Sequence, residues 1–214
     1  MFHPGRTQKI TERIAMVRTG ISNFYLYHTE AGTIAFDCGA NILLARAALR
    51  NLGIDPGTVR AVFLTHSDFD HRSGLRLFPN AAIYLSESEV PLIIGQKPRR
   101  FIVYNAGIKN HTPLADGESI TVGDTTVQMV AAPGHTTGSA CYRIGGDAIA
   151  TGDLLLITRD HRVKQFSFVQ NMDHAGNLAT LKSLYAEGFF SGSRYLLTGH
   201  SGFGKTDALS FAEL

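Results

Sequence analysis

The chain's 214 residues suffice for one sizeable core, and 44% hydrophobic against 18% charged residues is the balance of an ordinary globular protein, neither disordered nor fibrous. Lys and Arg number 20 against 18 Asp and Glu, a formal charge of +2, far from the basic surface that phosphate neutralisation needs, so a nucleic-acid partner is disfavoured. Met1-Phe2-His3-Pro4-Gly5 has no apolar export signal and no later run reaches the roughly 18 apolar residues of a membrane span. The expectation is a single domain over residues 1–214, cytoplasmic, free of membrane and acting on a small molecule.

In chain order, Arg13 to Val17 and Asn23 to His28 read as strands split by the turn-prone Thr19-Gly20-Ile21-Ser22, and Thr33 to Phe36 as a third, ending at Asp37-Cys38-Gly39. Ile42 to Leu52 carries a helical period through Leu43, Leu44, Ala47, Leu49 and Leu52, and Gly53 is placed to stop it. A strand from Val59 to Leu64 follows, then a short one around Ala81, Ile83 and Leu85. Ser86 with Glu89 has the capping-box spacing for a helix through about Ile94. Residues 95–117 show no readable period. Ile120 to Val122, Thr126 to Val130, Ala140 to Ile144 and Ala148 to Thr151 read as strands broken by Gly-containing turns. Leu178, Leu181, Leu184 and Tyr185 predict a helix from Ala175 to Glu187, and Tyr195 to Leu197 the last strand. Gly32 to Asp37 is echoed by Gly146 to Asp153, and Phe63 to His66 by Leu196 to His200. Each half then runs strand-to-Asp, helix, strand-to-His, and two such halves facing each other bring four strand ends to one edge. Chance recurrence of short apolar strands explains the echo as well.

The polar residues at those ends carry the chemistry. Thr65 to Gly74 reads T-H-S-D-F-D-H-R-S-G, placing His66, Asp68, Asp70 and His71 directly after a buried-type run. Four lone-pair donors there are costly unless a cation engages them. The segment resembles the H-x-H-x-D-H motif of the metallo-β-lactamase superfamily. Pro133-Gly134-His135-Thr136-Thr137-Gly138-Ser139 is similar to that family's P-G-H-T-x-G-S, Thr151-Gly152-Asp153 to its G-D strand end, and Thr198-Gly199-His200 to its terminal G-H. Ala35-Phe36-Asp37-Cys38-Gly39 is similar to its I-D-T-G, with Cys38 where Thr is common. The matches keep family order over residues 32–200.

The resemblance implies an α+β fold, an αβ/βα four-layer sandwich of two mixed sheets, with two divalent ions between them. It makes His66, Asp68 and His135 the ligands of one metal, Asp70, His71 and His200 those of the other, and Asp153 the bridge. Asp68 departs from the family's histidine. Each metal then has two imidazoles and one carboxylate, so zinc, iron and manganese all remain open. Two divalent ions, three carboxylates and a bridging hydroxide sum to neutrality, one unit less positive than with histidine at position 68, which weakens polarisation of water and suits a more oxidised pair.

Two functions follow. The first is hydrolysis by a dinuclear-metal-bound hydroxide, with the pKa of water lowered from near 16 towards roughly 7, and with Asp70 as the catalytic group that orients the hydroxide or takes its proton. The second is a non-haem diiron centre that binds or reduces oxygen or nitric oxide. Flavodiiron proteins share the fold and carry H-x-E-x-D, to which His66-Ser67-Asp68-Phe69-Asp70 is similar, although no flavodoxin domain accompanies it here. Asp37 either orients a ligand's ring or caps its own turn. His28, His111, His161 and His174 are expected to be ordinary polar residues. Lys97, Arg99, Arg100 and Lys109 are expected to form a solvated loop, with an anionic substrate as the alternative. Phe166, Phe168 and Met172 either line the substrate mouth or pack against the helix that follows. Cys141 is expected as a small buried hydrophobe, and Cys38 as packing before a redox thiol. Among acyl compounds a small ester, lactone or thioester is preferred: no export signal favours a secreted β-lactamase, and only 14 residues follow His200 to build the helical domain of glyoxalase-II-like thioesterases.

Overall fold

Strands buried on both faces explain the near-continuous apolar runs, and the layering follows from which way alternate side chains point. The computed structural model describes residues 2–105, 107–167 and 169–214, so Phe168 lies outside the described residues. The first sheet takes β1 (Gln8–Lys9), β2 (Ile14–Arg18), β3 (Asn23–Thr29), β4 (Gly32–Phe36), β5 (Val59–Phe63), β6 (Ala82–Ser86) and β7 (Thr112–Leu114) in sequence order. Three helices accompany it: α1 (Ile42–Leu52), the single turn α2 (Phe69–Arg72) and α3 (Val90–Ile93). The second sheet is built from β8 (Ser119–Val122), β9 (Thr125–Ala131), β10 (Ala140–Ile144), β11 (Ala148–Gly152), β14 (Tyr195–Thr198) and β15 (Gly202–Lys205), in the order β15-β14-β11-β10-β9-β8. A separate hairpin of β12 (Leu155–Ile157) and β13 (Val163–Gln165), then α4 (His174–Ala186), fill the crossover from β11 to β14.

In β2 and β4 the odd and even positions go to different cores. Ile14, Met16, Ile34 and Phe36 meet Val127, Met129, Tyr142 and Leu197 of the second sheet, whereas Ala15, Val17 and Ala35 face Ala45, Ala48 and Leu49 of α1. On the far side, Cys141, Ile149 and Leu196 pack on Leu181 and Leu184 of α4. The result is the four-layer α+β sandwich, with helix, sheet, sheet and helix in that order. Each buried Phe or Leu of such a layer is worth roughly 1.5–3 kcal/mol relative to exposure. Tyr142 adds direction, because its hydroxyl donates to Leu64 O at 2.8 Å and ties the end of β5 to β10. No helix of the described residues is long and apolar enough to cross a membrane.

Two parallel pairings place the polar strand ends. Phe36 pairs with Phe63 across β4 and β5, so Asp37 emerges beside Thr65 and His66. Gly152 pairs with Thr198 across β11 and β14, so Asp153 emerges beside His200. Both halves therefore use a strand, helix, parallel-strand crossover, as the sequence echo suggested, and their ends face each other.

Several expectations are corrected. Helix α1 has the expected bounds, with Asn41 accepting from Leu43 N and Leu44 N and Gly53 closing it at φ 71°. Its buried face, however, is Ala45, Ala48 and Leu49, and Leu43, Leu44 and Ala47 are exposed, because small residues let α1 approach the sheet closely. The helix expected from Ser86 is a 3-10 turn, Glu87–Glu89, followed by α3. Ser86 does cap, accepting from Ser88 N, but Glu89 turns into the core rather than back to the cap. Strands β1, β7, β12, β13 and β15 were not legible; β7 carries Pro113 and survives at a sheet edge, where the missing donor costs nothing.

Candidate metal centre

Seven side chains from four segments converge at the edge where the two sheets meet. The His66, Asp68 and His135 donor atoms form one group, Asp70, His71 and His200 a second, and His66, His71 and Asp153 a third, each with atoms within 4.8 Å of one another. Asp153 sits between the groups. Its Oδ2 lies 3.2 Å from His200 Nε2, 3.5 Å from His135 Nε2 and 4.0 Å from His66 Nε2, and its Oδ1 lies 3.5 Å from His71 Nε2. Asp70 Oδ2 is 3.2 Å from His200 Nε2. All seven residues that the sequence singled out as ligands are thus brought together.

Every imidazole is oriented by a bond at its other nitrogen. His71 Nδ1 donates to Asp37 Oδ2 at 2.8 Å, His135 Nδ1 to Asn171 Oδ1 at 3.0 Å and His200 Nδ1 to Ile21 O at 2.7 Å. The Thr65 hydroxyl donates to Asp37 and is 3.0 Å from His66 Nδ1, whose N–H it accepts. All four Nε2 lone pairs consequently point at one region. Asp37 accepts the Thr65 backbone N–H as well, at 2.8 Å. It does so with a left-handed φ of 62°, a conformation that costs a non-glycine residue of order 1 kcal/mol and marks a site where position outranks ease. Of its two anticipated roles, the orienting one is present. Asp37→Asn is expected to lower metal affinity about 10–100-fold, read by competition with a chelating dye, because an amide no longer fixes the His71 tautomer.

The donor set fits a cation. His66 Nε2 and Asp153 Oδ1 are buried without a hydrogen-bond partner among the described residues, and such orphans cost about 1–3 kcal/mol each unless something engages them. Charge tells the same story. Burial opposes a charged His71, but Asp153, Asp37 and Asp70 outweigh it and hold the imidazolium well above its ordinary range. Burial likewise opposes charge on His200, and Asp153 overcomes it to push the ring to about 10. Burial also disfavours ionised Asp153, yet His200 and His71 hold it well below the usual carboxylate range. Positive charge is favoured at this place.

Arg99 corrects the sequence reading of a solvated loop. It is 9% exposed, and its Nε donates to Asp68 Oδ1 at 2.6 Å while Nη2 donates to Gln170 O at 2.8 Å and lies 3.2 Å from His135 Nε2. Asp68 turns its other oxygen inward, with Oδ2 3.2 Å from His135 Nε2 and 3.7 Å from His66 Nε2. One carboxylate oxygen therefore serves the donor cluster and the other a guanidinium. Burial raises the Asp68 pKa, but His135, His66 and Arg99 together bring it far below its usual range.

Two further residues escaped the sequence reading. Glu89, fully buried, accepts from Ser67 N and Ser67 Oγ on one oxygen and from Thr136 Oγ1 and Gly138 N on the other, at 2.6–3.1 Å. It joins the His66 and His135 loops. Gly138 is required by this join, since a Cβ there would fall 2.1 Å from Glu89 N. Phe2 stacks on His200 at 4.4 Å and on Phe166 at 5.5 Å, and Phe166 in turn meets His135 edge-on at 5.0 Å. Phe166 is thus buried behind the imidazoles and lines no mouth, and Met172 is exposed. His28, His111 and His174 have ordinary polar partners. Burial, with Asp37 nearby, pushes the Cys38 thiol well up, and burial does the same to Cys141, so both are packing residues.

A profile of the metallo-beta-lactamase superfamily matches residues 17–200. The chain is similar to a probable polyketide biosynthesis zinc-dependent hydrolase of Bacillus subtilis, 34% identical over 98 residues that take in 44% of this chain and 38% of that one. It is also similar to a hydroxyacylglutathione hydrolase of Acidiphilium cryptum, 31% identical over 120 residues, 52% of this chain and 41% of that one. The aligned stretch spans less than half the length of these relatives. Among solved structures, a B3 metallo-beta-lactamase with an active-site glutamic acid superposes with a TM-score of 0.72 at 18% identity, over 95% of this chain and 84% of that one. A subclass B3 enzyme of Bradyrhizobium japonicum gives 0.70 at 20% identity, over 92% and 78%; at such identity the likeness speaks for the fold. With the profile spanning nearly the whole chain and the expected strand ends meeting at one edge, this protein belongs to the metallo-beta-lactamase superfamily.

Proposed function

We propose that this protein is a hydrolase that uses two divalent ions, zinc by preference, on a small ester, lactone or thioester. His66, Asp68 and His135 would hold one ion, Asp70, His71 and His200 the other, with Asp153 between them. The observation that carries the reading is the convergence of four oriented Nε2 lone pairs on three carboxylates, two of those donor atoms being buried without partners. The names of the relatives, a zinc-dependent hydrolase and a hydroxyacylglutathione hydrolase, support it.

When bound, the ions supply a water that ionises near neutrality and polarise the acyl oxygen. The chain's own residues do the rest. Asp70, which lines the open cleft, accepts the proton of the attacking water on the oxygen not committed to the cluster. Asp37, Asn171, Thr65 and the Ile21 carbonyl keep the rings from rotating, so little reorganisation accompanies the reaction. Phe166 and Phe2 close the side of the His135 and His200 rings away from the cleft to water.

Arg99 bears on the choice between hydrolysis and redox chemistry. The carboxylate at position 68 by itself makes the centre neutral, a feature that favoured a diiron protein. The buried guanidinium on its second oxygen brings the formal charge of the site back to that of a centre with histidine there. Of the two features that pointed to a diiron centre, the motif similarity and the neutral charge sum, the second is thereby offset, and the names of the relatives favour hydrolysis. Metal analysis of the purified protein, followed by a screen of thioesters, lactones and aryl esters with zinc restored, is the test. Two zinc ions per chain with turnover in at least one class is the expected result; iron with an oxygen-sensitive absorption band, and silence across the screen, would overturn it.

A further inference from the structure

Among the described residues the most exposed large apolar side chains are Phe101 and Ile102, at 83% and 88%, and Val103 and Tyr104 follow them at 60% and 55%. Four such residues in a row mark a surface that something covers. The backbone presents them in a definite shape. Arg99 N donates to Val103 O at 2.7 Å and Val103 N to Arg100 O at 2.8 Å, so residues 100–103 form a closed turn with Phe101 and Ile102 at its tip. Phe101 takes a left-handed φ of 50° there, which is costly for a bulky residue. The base of the turn is fastened inward: the Arg99 side chain donates to Asp68, Arg100 Nη1 to Val169 O, and Asn105 Nδ2 to Ser67 Oγ at 2.7 Å. These contacts hold the tip outward.

Charge is segregated around it. From residue 90 to residue 115 the sequence has no Asp or Glu but has Lys97, Arg99, Arg100 and Lys109, in a chain whose formal charge is only +2. Arg99 is committed to Asp68. Lys97, Arg100 and Lys109 are exposed and form no ion pair among the described residues. The Arg100 guanidinium lies 5.5 Å from the centre of the Phe101 ring, and Arg72 borders one cleft with Arg100 and Val103 and another with Lys109. An anionic partner is complementary to this face.

Shape decides between the anionic partners. A protein needs about 800 Å² on each side, packed around an apolar centre. Here the apolar side chains project from a narrow turn, and Phe101 and Ile102 line neither neighbouring cleft. A fluid medium encloses such a tip without a matching groove. Apolar residues flanked by Tyr and by Lys or Arg are the composition of segments that lie about 5–10 Å into the headgroup boundary of a bilayer.

We propose that the turn at residues 100–103 docks this protein on an anionic lipid surface, with Phe101 and Ile102 entering the acyl boundary, Tyr104 at headgroup level, and Lys97, Arg100 and Lys109 on the headgroup charges. The proposal is independent of the hydrolase reading. The turn's own hydrogen bonds let its backbone leave water. No helix of the described residues crosses a membrane, so the contact is with one leaflet.

The test is sedimentation of the full chain with vesicles of equal parts phosphatidylserine and phosphatidylcholine, against vesicles of phosphatidylcholine alone. Partition onto the anionic vesicles is expected to be about tenfold or more stronger, with the margin shrinking as salt rises. The double variant Phe101→Ser, Ile102→Ser is expected to lower that partition on the order of 100-fold, and Lys97→Gln, Lys109→Gln by about tenfold. Both are expected to keep the urea midpoint, since side chains so exposed hold little of the fold. The chain has no tryptophan, so Ile102→Trp supplies a single reporter whose emission is expected to shift to the blue with anionic vesicles. Leu43→Trp, at a position 69% exposed on α1, is expected to show no shift. Absence of sedimentation with the anionic vesicles overturns the proposal, as does binding that survives Phe101→Ser, Ile102→Ser or an unmoved Ile102→Trp emission. Self-association of the unmodified chain without vesicle binding, abolished by the same double variant in sedimentation velocity, would make a second copy the occupant and overturn it too. None of these measurements involves turnover, so the hydrolase reading stands or falls separately.

Discussion

Asp153→Ala is expected to strip both metal positions at once, whereas His135→Ala and His200→Ala each weaken one. Among the described residues Asp153 is the one side chain whose two oxygens face four imidazoles, at 3.2–4.0 Å, so its loss removes a shared anion from both groups of donors. Even residues that merely orient a ligand cost 10–100-fold in affinity when removed; a shared ligand is expected to cost more than about 100-fold at each position. Atomic emission after exhaustive dialysis reads the stoichiometry directly. Two tightly held ions in Asp153→Ala, or in either histidine variant, would show that the assignment of donors is wrong.

Glu89→Ala carries the largest expected effect on stability. The carboxylate satisfies four donors, and two of them are backbone N–H groups, of Ser67 and Gly138, deep in the protein. Burial raises the Glu89 pKa, and the bonds from Ser67 and Thr136 oppose that rise, so removing the side chain returns some desolvation energy while stranding every donor. The donors dominate, each worth about 1–3 kcal/mol when left unpaired, and a net loss of about 3 kcal/mol or more is expected in urea unfolding. Since Ser67 lies between His66 and Asp68, and Thr136 follows His135, metal affinity is expected to fall in the same variant. An unchanged urea midpoint would refute the structural role given to Glu89.

What was legible in the sequence, and what was not, divides by range. Strands such as Ile14–Arg18 and Ala140–Ile144 announce themselves because alternate residues enter two different cores, leaving a dense apolar run that local reading detects. The side chains at positions 66, 68, 70, 71, 135, 153 and 200 could be named because compact motifs after strand ends resemble those of a known family, and the parallel pairings carry those ends to one edge. Residues whose role depends on a partner far along the chain left no local trace. Glu89 sits in capping-box spacing with Ser86, and that local pattern masked a long-range role. Arg99 lies in the stretch from 95 to 117, where few backbone groups join regular elements and no period exists to read. One sign of it was available: an aspartate where the family has a neutral ring calls for a compensating cation nearby. The phase of α1 was misread for another reason, since Ala45 and Ala48 approach the sheet closely while the bulkier Leu43 and Leu44 stay outside, an inversion that hydrophobicity alone does not foresee.

The pairing of Asp68 with Arg99 couples the two positions, so that substitutions at one are expected to depend on the residue at the other. Placing histidine at residue 68 would leave the buried guanidinium without its carboxylate, and neutralising residue 99 would remove the cation from the outer oxygen of Asp68, so each single exchange is expected to be harmful while the joint exchange keeps the balance of charge. Epistasis of this kind ties a loop of no regular shape to the ligand motif. It means that grafting the motif alone into a histidine-bearing homologue would transplant half of a functional unit.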